Sequence, residues 1–137
     1  MIEGEALVGL LDTSVFIASK NGRAISKLPG RVALSVITIG ELQLGVLNAG
    51  DAATRARRAD TLALARAADP IPISEAVMVS WARLVADCRA AGVHRAVKLT
   101  DALIAATAIE HGLRVVTQDA DFDRIAGACP TLSVIRV

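Results

Sequence analysis

Tyrosine is absent from this 137-residue chain, and its aromatic side chains are Phe16, Trp81 and Phe122 alone. Proteins that read single-stranded nucleic acid stack bases on aromatic rings, so such a platform is hard to build here. Cysteine is scarce as well. Cys88 and Cys129 stand in unrelated contexts without metal-ligand spacing, which suits a reducing compartment and gives no disulfide framework. His94, His111 and Cys88 likewise lack the spacing of a zinc site. No phosphate-binding glycine loop occurs, and Ser14 has neither a histidine partner nor a nucleophile-elbow glycine pattern. No apolar run approaches the roughly 18 residues of a membrane span, and the start, Met1-Ile2-Glu3-Gly4-Glu5, is acidic where a signal peptide is basic. A cytoplasmic protein without a membrane partner is expected.

What is present is apolar mass: 26 alanines, 53% apolar residues and 21% charged ones, the composition of a globular domain with a real core. The length lies near the roughly 150 residues of one domain, so 1–137 is expected to fold as a single unit, with 1–5 as a flexible lead. Apolar runs at Ala6 to Leu11, Val32 to Val36, Arg114 to Thr117 and Leu132 to Val137 predict short buried strands, and Ile71 to Ile73 is too proline-bound for more than an edge strand. Helical patterns begin near Ser14, at Thr38 and at Asp51. Ser74 starts another with Val77, Trp81, Leu84, Val85 and Cys88 on one face, the next starts at Thr100, and a brief one follows from Phe122. Val93 to Leu99 reads as a loop, and His111-Gly112 as a helix end. Alternation of this kind predicts an α/β fold: a short, mostly parallel sheet between two helical layers.

Ligands of such sheets bind outside the carboxyl ends of the strands, and acids recur there. Asp12 closes the first strand, Glu41 lies in the first turns of the helix after the second, Asp101 begins a helix, and Asp119 and Asp121 follow the third. Each alone has a structural use. Asp12 could cap a helix, Thr38 to Glu41 matches a capping box, Asp101 suits a helix dipole, and Asp119 or Asp121 suits a turn. Together they repel, and with few lysines nearby the fitting counter-charge is a hard divalent cation, Mg²⁺ or Mn²⁺, able to clamp a phosphodiester. Without those five acids the balance is fifteen basic residues against nine acidic, so the remaining surface is basic. Arg55, Arg57, Arg58 and Arg66, or Arg95 and Lys98 just before Asp101, could contact phosphates; a solvated face paired with Asp51 and Asp60 is the other reading of the first group.

Four blocks then make a specific resemblance: Leu11-Asp12-Thr13-Ser14; Thr38-Ile39-Gly40-Glu41-Leu42 with Gly45; Leu99-Thr100-Asp101-Ala102-Leu103-Ile104-Ala105-Ala106; and Val116-Thr117-Gln118-Asp119-Ala120-Asp121-Phe122. In this order they resemble the PIN-domain ribonucleases, specifically the VapC-type toxins of bacterial toxin-antitoxin pairs. The resemblance implies a three-layer α/β/α PIN fold and a Mg²⁺-dependent endoribonuclease in which Mn²⁺ can substitute. It assigns Asp12, Glu41, Asp101 and Asp119 to an acidic metal-binding quartet, with Asp121 as an additional acid; Asp119 and Asp121 both remain open as the direct ligand. It also implies that Ser14 orients the first aspartate and that Thr117 helps hold the last acid. A homodimer, an RNA substrate such as tRNA or a ribosomal hairpin, and a cognate antitoxin whose C-terminal segment reaches the site follow from the same resemblance. Eleven residues precede Asp12, more than is usual in that family. The competing functions are a catalytically inactive module of the same fold and a Mg²⁺-dependent phosphatase, which would need an aspartate where Ser14 stands.

Overall fold

The computed structural model describes residues 7–21 and 30–137; the expected lead at 1–5 lies outside them. In chain order the elements are β1 (Leu7–Leu11), α1 (Thr13–Lys20), β2 (Arg31–Ala33), α2 (Val36–Leu47), α3 (Ala52–Ala67), α4 (Glu75–Ala90), α5 (Leu99–Glu110), β3 (Arg114–Thr117), α6 (Asp121–Ala128) and β4 (Val134–Arg136). All strand pairs are parallel, in the order β2-β1-β3-β4.

Side chains alternate across a strand, and here both faces are apolar because both are covered. Leu10 and Val115 turn to one side, where they meet Leu84 and Cys88 of α4, Ile104 and Ala108 of α5, and Phe122 and Ile125 of α6. Leu11 and Val116 turn to the other, against Val15 and Phe16 of α1, Leu42 of α2, and Leu62 and Ala65 of α3. The result is the expected three-layer α/β/α arrangement. Each fully buried leucine, isoleucine or phenylalanine contributes about 1.5–3 kcal/mol. Gly9 lets β3 pack closely, since a Cβ there would stand 2.7 Å from Val116 Cγ2.

The helix ends follow local chemistry. Asp51 caps α3 and Ser74 caps α4 through their side chains. Helix α5 closes at His111, with Gly112 at φ +65°, Leu113 N–H on Ala108 O (2.8 Å) and Gly112 N–H on Ile109 O (3.2 Å), the paired bonds of a Schellman turn.

Several boundaries differ from the sequence reading. The second strand stops at Ala33 rather than Val36, because Ser35 Oγ accepts the Ile37 amide and starts α2 there. Thr38 is therefore inside the helix, wholly buried, and is not its cap. β-Branched Val36 and Ile37 favour a strand locally, and tertiary packing overrides that preference. Helix α5 starts at Leu99 with Lys98 at the cap position, so Thr100 does not cap it. A 3-10 turn, His94–Ala96, occupies part of the expected loop. Ile71 makes one bridge, to Ser35, and the last strand is confined to Val134–Arg136. Val77, Leu84 and Cys88 enter the core from α4, with Trp81 and Val85 partly buried against it. Among the described residues no helix is long and apolar enough to cross a membrane.

Candidate metal and catalytic site

The chain leaves β1 for β2 on one side, while β3 pairs with β1 on the other, so a crevice opens beyond the carboxyl ends of β1 and β3. Asp12 is the first residue past β1, and its amide donates to Val116 O at 2.9 Å. It occupies the cap position of α1, yet its side chain makes no capping bond. Asp12 Oδ2 instead accepts from Ser14 Oγ (2.9 Å) and Thr117 Oγ1 (3.0 Å). The Thr117 hydroxyl also accepts the Asp119 amide at 2.9 Å. One buried hydroxyl thus donates to the first acid's carboxylate and holds the backbone of the last, both of its roles used.

Glu41 arrives from the second turn of α2. Its Oε1 accepts from Thr13 Oγ1 at 2.6 Å, and Thr13 Oγ1 lies 2.8 Å from Thr38 Oγ1. Neither threonine was singled out as a site residue from the sequence. The available signals were Thr13 standing directly after Asp12 and Thr38 standing three residues, nearly one helical turn, before Glu41.

Asp101 comes from the first turn of α5, the helix that leads back into β3 and so begins at the same edge of the sheet. Burial, then the charge of Asp12, with Glu41 and Asp121 adding and Lys98 opposing, raises its carboxyl pKa from 3.8 to about 6. Asp12 is also raised, first by burial and further by Asp119, against the hydrogen bonds from Ser14 and Thr117. Asp101 therefore lies within electrostatic reach of Asp12, Glu41 and Asp121, and Asp12 within reach of Asp119. Carboxyls whose ionisation is held back, as those of Asp12 and Asp101 are, make the environment that a hard divalent cation relieves. Among the described residues no group of three or more His, Cys, Asp or Glu side chains is gathered closely enough to hold a metal ion. Asp12 and Asp101, which act on each other electrostatically, offer the one or two carboxylates through which Mg²⁺ is usually bound.

The basic residues divide. Arg55 donates to Ala49 O (3.3 Å), Arg58 to Gly45 O (2.7 Å) and Arg66 to Gln43 Oε1 (3.3 Å). These bonds tie α3 to α2, with Arg55 and Arg58 satisfying carbonyls at its carboxyl end. Arg95 and Lys98 are exposed, and the Lys98 charge acts on Asp101. A groove of about 890 Å³ runs from Glu41 between α1, α2 and α3, lined by Ile17, Leu42, Leu44, Asn48 and Arg57 among others.

Comparison with known proteins agrees with this architecture. The model of the PIN domain family matches residues 9–128. Ribonuclease VapC8 of Mycobacterium tuberculosis (strain ATCC 25618 / H37Rv) is 81% identical over 108 residues, covering 79% of this chain and 96% of that one. Ribonuclease VapC5 of the same strain is 40% identical over 131 residues, covering 94% and 95%. Among solved structures, a member of the VapBC family of toxin-antitoxin systems, VapBC-5 from Mycobacterium tuberculosis, superposes with a TM-score of 0.80 at 37% identity, covering 95% of this chain and 98% of that one. The fold, the acidic edge and these similarities together make the chain a member of the PIN-domain family, in its VapC group.

Proposed function

We propose that this chain is a Mg²⁺-dependent endoribonuclease, with Mn²⁺ able to substitute, and that it is the toxin of a toxin-antitoxin pair. The observation that carries the reading is the convergence of Asp12, Glu41 and Asp101 with Asp119 and Asp121 on one sheet edge, where burial and then the neighbouring acids raise Asp12 and Asp101. Two similar proteins are named ribonucleases, and a similar solved structure is a toxin-antitoxin system.

Asp12 and Asp101, with Asp119 or Asp121, and Glu41 through the water it orients, are the residues that would hold the cation. Bound there, it supplies positive charge to the phosphate and makes a nearby water more acidic. The remaining work belongs to the protein. Ser14 and Thr117 fix the orientation of Asp12, so that its carboxylate is committed before substrate arrives. Glu41, anchored through one oxygen by Thr13, orients the attacking water and accepts its proton with the other. Attack on phosphorus with departure of the 3′ oxygen leaves a 5′-phosphate and a 3′-hydroxyl. Arg95 and Lys98 draw the RNA backbone to this edge. With three aromatic residues in the chain, recognition rests on RNA shape and charge, which favours a folded target such as tRNA or a ribosomal hairpin. Ser14 stands where a phosphatase of this chemistry needs its acid, and it donates to Asp12 instead.

The cognate antitoxin, the homodimer and action in the cytoplasm belong to the same proposal; the groove beside Glu41 offers an antitoxin segment a route to the acids. The test is incubation of purified protein with total bacterial RNA and Mg²⁺ or Mn²⁺, beside an EDTA control and Asp12→Ala and Asp101→Ala variants. Discrete cuts with 5′-phosphates that vanish in all three controls are expected; cutting that persists in EDTA, or no cutting by the wild type, rejects the reading.

A further inference from the structure

The hydroxyls around Glu41 carry a direction. An ionised carboxylate can only accept hydrogen bonds, and a threonine hydroxyl has a single proton to give. The 2.6 Å contact from Thr13 Oγ1 to Glu41 Oε1 consumes the Thr13 proton. The 2.8 Å contact between Thr13 and Thr38 must then be donated by Thr38. Thr38 is fully buried and Thr13 is 8% exposed, so bulk water does not readily replace either partner. Oε1 is thereby committed, while Oε2 has no protein hydrogen-bond partner among the described residues.

We propose that Thr38 and Thr13 form a one-way hydroxyl relay, Thr38 to Thr13 to Glu41, that holds the Glu41 carboxylate with Oε2 presented to the reaction. Both threonines are positioning residues. Thr38 touches Glu41 only through Thr13, although the two share a face of α2. This inference rests on the nuclease reading of the acidic edge and deepens it. An untethered glutamate samples several rotamers, and the relay selects one before RNA or metal arrives.

The relay orders its variants. Thr13→Val keeps the buried volume and removes the donor to Glu41, so kcat for RNA cleavage and Mn²⁺ affinity are expected to fall about 10-fold to 100-fold, with KM for RNA unchanged. Thr13→Ser restores the hydroxyl and rescues both. Thr38→Val gives a smaller loss, and the Thr13→Val/Thr38→Val double variant is no worse than Thr13→Val, because the effect of Thr38 passes through Thr13.

The decisive experiment measures Mn²⁺ affinity by electron paramagnetic resonance without RNA, together with the ¹³C carboxyl resonance of Glu41 in the metal-free protein. A resonance that moves in Thr13→Val and returns in Thr13→Ser, with non-multiplying losses of affinity, supports the relay. An unmoved resonance, losses that multiply, or failure of serine to rescue overturns it. If the wild type neither binds Mn²⁺ nor cuts RNA, the nuclease reading fails, and the Glu41 resonance still decides the relay.

Discussion

Replacing Asp101 by Asn is expected to abolish cleavage and yet stabilise the metal-free protein. In the unfolded chain this carboxyl titrates near 3.8; in the fold it titrates at about 6, because of burial and then the charges of Asp12, Glu41 and Asp121. Between those values the native state holds more protons than the unfolded one. Stability from this group therefore falls as pH rises from about 4 to about 6, and it stays lost above that. The shift corresponds to at most about 3 kcal/mol. Asp101 is only partly buried, and solvent screening cuts the figure to roughly half. Its place in the first turn of α5 favours the anion by about 0.5 kcal/mol, which asparagine forfeits. The net expectation is a gain of about 1 kcal/mol, or about 3 to 5 °C in Tm, at pH 7.5.

Thermal melts by circular dichroism in EDTA at pH 7.5 and pH 4 test this directly. The gain is expected at pH 7.5 and absent at pH 4, where the wild-type carboxyl is largely neutral in the fold. Adding Mg²⁺ at pH 7.5 raises the Tm of the wild type and leaves the variant unmoved, since the cation relieves the same repulsion. A variant less stable than the wild type at pH 7.5 would show that Asp101 is a contented helix-end anion, and the reasoning about a charge-crowded edge would fall.

Other expectations follow from individual contacts. Thr117→Val removes a donor to Asp12 and the acceptor for the Asp119 amide, so Mn²⁺ affinity measured by calorimetry should drop about 10-fold to 100-fold, and more than in Ser14→Ala, whose hydroxyl serves Asp12 alone from an exposed position. Arg58→Ala should lower the Tm while leaving KM for RNA unchanged, because its guanidinium bonds Gly45 O. Arg95→Ala and Lys98→Ala should raise KM, each reducing the salt slope of RNA binding by about 1. Gly9→Ala forces a Cβ against Val116 and should cost about 1–3 kcal/mol in urea melts, without altering the metal affinity of the folded fraction.

Much of the fold was legible because strands covered on both faces leave continuous apolar runs. Leu7–Leu11 and Arg114–Thr117 stand out for that reason, and the turn at Gly112 is written in the residues that make it. The boundary near Val36 was not legible, since β-branched residues suit both a buried strand and a buried helix, and only tertiary packing decides between them. The acids were legible as a set through topology, which brings the end of β1, the start of α5 and the end of β3 to one edge. Thr13 and Thr38 were not, because a buried hydroxyl has no periodic signature: Thr38 even matched a capping pattern that Ser35 fulfils instead. Arg55 and Arg58 showed the converse. Their charge and helix face are visible in the chain, but the carbonyls of Ala49 and Gly45 that they engage are not.

The most direct test of the central claim is anomalous diffraction from crystals of the protein soaked in Mn²⁺, collected at a wavelength where manganese scatters anomalously. The account predicts a peak between the carboxylates of Asp12 and Asp101, within about 2.0–2.2 Å of an oxygen from at least one of them, and its disappearance in Asp101→Asn. A map with no peak at that edge in the wild type, or with its manganese bound elsewhere, would contradict it.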